Sequence, residues 1–268
     1  MKRIDPIQTL ICFCLLVIAN FVHAQAGLSV SPPRTYFTLD PGGMERKKIM
    51  VTNTSETNAL ELAISFNDWK YDEFGTNVIS EPNSLSNSCS NWLTIFPSNV
   101  LTLGPKESKE IEVQMNVPDQ ITPDFVHTAM MYITQTNVTT EQNKKGESIR
   151  ITLRTGVKIY HNKNVGRDLN VDFLDFSYSK LTNQLILKIE NIGNVWGEGT
   201  IKNELINQDN GEITTLPDMV FYSLPEDHRT ILIDLPSDLP KANYIANSTL
   251  NLGETDFIKI AELSFSNE

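Results

Sequence analysis

Ile149-Arg150-Ile151-Thr152-Leu153-Arg154-Thr155-Gly156-Val157-Lys158-Ile159-Tyr160 opens with Ile149, Ile151 and Leu153 at alternate positions, separated by Arg150 and Thr152 and followed by Arg154. Successive side chains of an extended chain point to opposite faces, so this spacing predicts a strand with one apolar side. The same period recurs upstream in Ile49 and Val51, in Leu60, Leu62, Ile64 and Phe66, in Ile111, Val113, Met115 and Val117, and in Phe125, Ala129, Met131 and Ile133. Downstream it returns in Leu169, Val171 and Phe173, in Leu185, Leu187 and Ile189, in Ile231, Ile233 and Leu235, and in Ile258, Ile260, Leu263 and Phe265. No window sustains an apolar stripe at helical spacing. Pro41-Gly42-Gly43, Gly104-Pro105, Asn191 to Gly193 and Asn210-Gly211 supply turn chemistry between strands. Many short strands closed by such turns predict an all-β chain built as sandwich or barrel.

The strands form two sets. Residues Tyr160 to Asp168 between them are polar and lack periodicity, which marks a linker candidate and predicts two tandem sandwich domains at 25–160 and 166–268. Ile49-Met50-Val51-Thr52-Asn53 and Leu187-Lys188-Ile189-Glu190-Asn191 echo each other, both ending an alternating strand on Asn. Asn at a strand end is also ordinary turn chemistry, so the echo alone leaves both readings open.

The 268 residues are 40% hydrophobic and 21% charged, with 22 basic against 33 acidic residues and a net charge of −11. This is globular composition. The acidic balance excludes nucleic acid and anionic membrane surfaces as partners, since each needs a dense Lys/Arg footprint. Residues 1–24 have the form of a secretory signal peptide: Lys2 and Arg3, the apolar run Leu10 to Ile18, then Val22-His23-Ala24 as a cleavage site. The run falls short of the roughly 20 residues of a membrane span. The expected product is exported, with no span after cleavage, and retains Cys89 as its sole cysteine, without an intrachain disulfide.

Ser31-Pro32-Pro33-Arg34-Thr35-Tyr36-Phe37, Ile49 to Asn53, Trp92-Leu93-Thr94-Ile95-Phe96-Pro97 with Leu103-Gly104-Pro105, and above all Ile149 to Tyr160 resemble the N-terminal domain of PapD-like periplasmic pilus chaperones. Leu235-Pro236 and Lys241-Ala242-Asn243-Tyr244 leading to Leu250-Asn251-Leu252-Gly253 resemble that family's second domain. The resemblance implies two tandem immunoglobulin-like β-sandwich domains in a boomerang arrangement, located in the periplasm. It implies that Arg34 and Lys158 hold the terminal carboxylate of an incompletely folded, exported pilin-like or fibre subunit. It also implies that Ile149, Ile151 and Leu153 form the face of a donor strand that completes the client's sheet. An outer-membrane usher is the further partner the resemblance suggests.

The residues themselves leave alternatives open. Arg34 and Lys158 also fit outward charges that protect an edge strand, and the alternating face fits this chain's own core. The sequence departs from the family at Tyr160-His161-Asn162, where an aromatic-Tyr-Arg-Pro is usual, and at Gly156, where a basic residue is frequent. Catalytic, cofactor and metal motifs are lacking: His127, His161 and His228 have no metal-ligand spacing, and no Gly-x-Ser-x-Gly or phosphate-cradling Gly loop occurs. The expectation is a non-enzymatic chaperone without cofactor. A secreted immunoglobulin-like structural or adhesion module is the alternative.

Overall fold

The computed structural model describes residues 27–122, 126–142, 148–164, 166–253 and 258–267. The expected signal peptide lies outside the described residues, as does Phe125. The chain is all-β apart from the single 3-10 turn at Ser90–Trp92 among the described residues. Its first twelve strands are β1 (Leu28–Ser31), β2 (Arg34–Thr38), β3 (Met44–Asn53), β4 (Leu60–Tyr71), β5 (Asn77–Ser80), β6 (Leu93–Phe96), β7 (Val100–Leu103), β8 (Ser108–Asn116), β9 (His127–Gln135), β10 (Thr139–Gln142), β11 (Ser148–Ile151) and β12 (Arg154–Asn162). One sheet has the order β1-β3-β8-β6, and the facing sheet has the order β2-β12-β9-β4-β5 with β7 also on β4. Between them Ile49, Val51, Leu60, Ile111, Val113, Met131, Ile133, Val157 and Ile159 form a core. The alternation seen in the sequence is this inward face.

Eight further strands follow: β13 (Val171–Ser179), β14 (Gln184–Asn191), β15 (Gly197–Asn207), β16 (Ile213–Thr215), β17 (Met219–Ser223), β18 (His228–Asp234), β19 (Ala242–Asn251) and β20 (Ile258–Asn267). They form the sheets β13-β14-β18 and β16-β15-β19-β20, with β17 on β15, around a second core that includes Leu187, Ile189, Leu205, Ile233, Tyr244 and Leu250. The architecture is two tandem immunoglobulin-like sandwiches.

The echo between Asn53 and Asn191 has a structural basis. Each side chain is buried and accepts a hydrogen bond from the backbone N–H two residues on, Ser55 at 2.9 Å and Gly193 at 3.0 Å. Each amide then donates to carbonyls of the crossing loop, Asn58 and Gly104 in the first sandwich and Val195 in the second. A buried Asx turn thus closes the equivalent strand in both sandwiches.

The polar stretch expected to be linker from Tyr160 onward is corrected by the structure. β12 runs on to Asn162, and Tyr160, His161 and Asn162 are all buried. Their backbones pair with β2 (Tyr160 opposite Tyr36, His161 opposite Phe37), and His161 stacks edge-on against Trp92 while its Nε2 bonds the Leu39 carbonyl at 2.9 Å. Hydrophilic residue types hid a buried strand end because the pairing strand is far away in sequence. Cys89 is a free thiol, fully buried, and burial pushes its pKa upward, so it behaves as a small core residue.

Candidate functional site

The outward side of the β2-β12-β9-β4-β5 sheet carries the candidate site. β12 pairs antiparallel with β9 from Arg154 to His161, but parallel with β2 only from Lys158 to Asn162. That parallel register sets Lys158 directly opposite Arg34. The two residues expected to act together are therefore cross-strand neighbours, although 124 positions separate them.

Both cations rest on aromatic rings. Lys158 Nζ donates to the Tyr71 hydroxyl at 2.9 Å and lies 4.1 Å from the Trp69 ring centroid. The Arg34 guanidinium lies 4.4 Å over Tyr222 of the second sandwich and 3.7 Å from Glu198. Among the described residues no carboxylate stands within salt-bridge distance of Lys158. Burial, then the positive charges of Arg34 and Arg229, pull its pKa down to about 8. Lys158 is therefore a half-buried ammonium whose charge is opposed by two neighbouring cations.

The sequence reading missed the walls of this cleft. Trp69 and Tyr71 sit on β4 in the opposite phase from Leu60, Leu62, Ile64 and Phe66, so one strand carries apolar side chains first on its inner face and then on its outer one. That phase change is visible in the sequence. Tyr36 stacks between Tyr160 at 5.1 Å and Trp196 at 4.8 Å, joining the two sandwiches. Arg229, 6% exposed, donates to the Asp72 carbonyl at 2.9 Å and lies over Tyr71. It is a third cation that no motif announced.

The edge of β12 ahead of Lys158 is open. Lys158 N–H bonds the Pro33 carbonyl at 3.1 Å, so the backbone groups of Gly156 and Arg154, two and four residues earlier, face the same side. Among the described residues no strand pairs with them there.

The expected donor face divides. Ile149 and Ile151 belong to β11, which pairs with β10 in a separate two-stranded ribbon; Ile149 stands opposite Glu141 by its backbone, and its side chain lies outside the described part of the structure. Ile151 is exposed at 42%. Leu153 lies between β11 and β12, half-buried against the first core, with its backbone tied to Gln135 by bonds of 2.8 and 3.3 Å. Among the described residues no group of His, Cys, Asp and Glu is arranged to hold a metal, and no helix is long and apolar enough to cross a membrane.

No family model matches this sequence, and no curated protein resembles it significantly. Among solved structures, the class 5 fimbriae chaperone CfaA superposes with a TM-score of 0.50 at 14% identity, over 88% of this chain and 98% of that one. A chain of the CsuC–CsuE chaperone–tip adhesion subunit pre-assembly complex from archaic Csu pili of Acinetobacter baumannii superposes at 0.49 with 12% identity, again over 88% of this chain. At such identities the likeness to CfaA speaks for the fold, and its coverage takes in both sandwiches.

Proposed function

We propose that this protein is a periplasmic chaperone that binds exported pilin-like or fibre subunits by strand addition and assists their delivery to the outer membrane, with an usher as the receiving partner. The observation that carries the reading is the open edge of β12 leading straight to the paired cations. Main-chain groups of Arg154 and Gly156 would bond the incoming strand, and Arg34 and Lys158 would receive its terminal carboxylate. Arg offers a planar fork to two oxygens and Lys a point charge from the neighbouring strand. Ile151 would contribute an exposed apolar side chain to the client, with Ile149 and Leu153 as the other members of the donated segment. The two sandwiches act as separate domains, the first closing with β12 at Asn162 and the second spanning 166–268, after removal of residues 1–24.

The test is titration of the purified mature chain with an exported β-sandwich subunit that lacks its last strand. Arg34→Ala and Lys158→Ala are each expected to lose at least roughly 30-fold in affinity, corresponding to about 2 kcal/mol or more for truncating one member of a desolvated charge pair. Both variants should melt as the parent does. Unchanged capture with a lowered melting temperature would make these residues structural. A parent chain that captures no such subunit would instead favour the secreted structural module.

A further inference from the structure

Arg34 and Lys158 themselves line a groove of about 580 Å³, together with Asn77, Ile79, Met130 and Tyr132, with Gly156 at its base. Its floor exists because residue 156 has no side chain. A Cβ built there would approach Met130 Sδ to 2.9 Å and the Tyr132 ring to 3.2 Å, both closer than such contacts normally come. Met130 and Tyr132 stand opposite Lys158 and Gly156 on β9, and the Arg154 guanidinium lies 3.5 Å from the Tyr132 ring centroid. The result is a soft apolar floor at the end of a cationic trough. Ile79, 38% exposed, forms its outer wall.

We propose that this groove is a specificity pocket for the side chain of the client's last residue, and that it selects a large apolar or aromatic terminus bearing a free carboxylate. The inference rests on the strand-addition reading above. In a strand that continues β2 in line, the residue beside Gly156 lies two places before the position of Arg34 and shares its face. Its carboxylate then meets Arg34 and Lys158 while its side chain falls over Met130 and Tyr132. Charge complementarity sets the occupant as a chain terminus, since two cations at one end of an apolar groove match a group that is anionic at its end and apolar along its side. A thioether and an aromatic face adapt to varied apolar shapes. A basic terminal side chain would lose its water against the same floor beside like charges.

The experiment uses the full mature chain and three 12-residue peptides of alternating Thr and Val that differ only at the end: terminal Phe acid, terminal Gly acid and terminal Phe amide. Phe acid is expected to bind at least tenfold more tightly than Gly acid. Gly156→Val, which fills the floor at a position with ordinary strand geometry, is expected to bring Phe acid down to the level of Gly acid. Equal affinity of Phe and Gly acids for the parent chain overturns the pocket. Phe amide binding as tightly as Phe acid overturns the carboxylate anchor instead, leaving the two failures distinct. Binding of neither acid overturns both. A melting curve of Gly156→Val matching the parent separates loss of the pocket from loss of the fold.

Discussion

Lys158 concentrates the chemistry of the cleft, because its charge is opposed by burial and by two neighbouring cations. With its pKa near 8 in the fold and near 10.5 in an unfolded chain, the unfolded state takes up the proton first as pH falls. Stability is therefore lost as pH falls from about 10.5 to 8 and does not change on this account below that window. A carboxylate ligand needs the protonated form. Its affinity is expected to decline as pH rises above about 8, approaching tenfold per unit. Lys158→Met should bind more weakly at pH 7 and show no such slope between pH 7 and 10. Calorimetric titration across that range reads both outcomes, and a parent profile that stays flat to pH 10 would remove Lys158 from the binding site.

At the scale of elements, what the sequence made legible and what it hid follow from one distinction. Period-two alternation reports which side chains face inward, and the cores contain most residues so marked, from Ile49 and Val51 to Ile233 and Leu235, whereas Ile258 and Ile260 on β20 are exposed at 58% and 67%. It does not report which strand lies beside which. The pairing of β2 with β12 is parallel and joins distant residues, so only the family resemblance brought Arg34 and Lys158 together, and Arg229 escaped notice altogether. Alternation likewise ran through Ile149, Ile151 and Leu153 as one strand, whereas the chain changes partner after Ile151. This divides the expected donor face into two behaviours. Ile151→Asp puts a carboxylate at an exposed site and is expected to leave the melting temperature within about 2 °C while abolishing capture of a subunit lacking its last strand. Leu153→Asp sets one against the core and is expected to lower melting by roughly 3 to 10 °C. Circular dichroism melting beside a capture assay compares them, and full capture by Ile151→Asp would reject the donated strand.

At the scale of the whole molecule, the cleft exists only while the second sandwich stands against the first, since Tyr222 and Glu198 face Arg34 from across it. What holds that arrangement is a buried cluster in which Leu224 packs with Trp69, Tyr71, Val126, Met130 and Tyr160, flanked by the aromatic wall and a small polar latch. The turn after β4 presents the carbonyls of Asp72 and Glu73, which accept from Arg229 Nη1 at 2.9 Å and from Thr230 N–H at 2.7 Å. Gly75 sits in that turn at φ +90°, and any Cβ there would collide with the Arg229 guanidinium. The backbone conformation therefore favours glycine at this position, and any side chain there would have to displace the Arg229 guanidinium. Gly75→Val is expected to expel Arg229 and loosen the stack of Tyr36 on Trp196, without touching either core. Three signs should follow together: red-shifted tryptophan emission, a larger radius of gyration in solution scattering, and faster proteolysis between residues 163 and 170. Neither sandwich should unfold at a lower temperature, because the substituted turn lies outside the apolar core of each. Ligand affinity should fall even though Arg34, Lys158 and Gly156 are intact. If the variant scatters like the parent and binds as well, the latch is dispensable, and the buried cluster and the aromatic wall set the cleft.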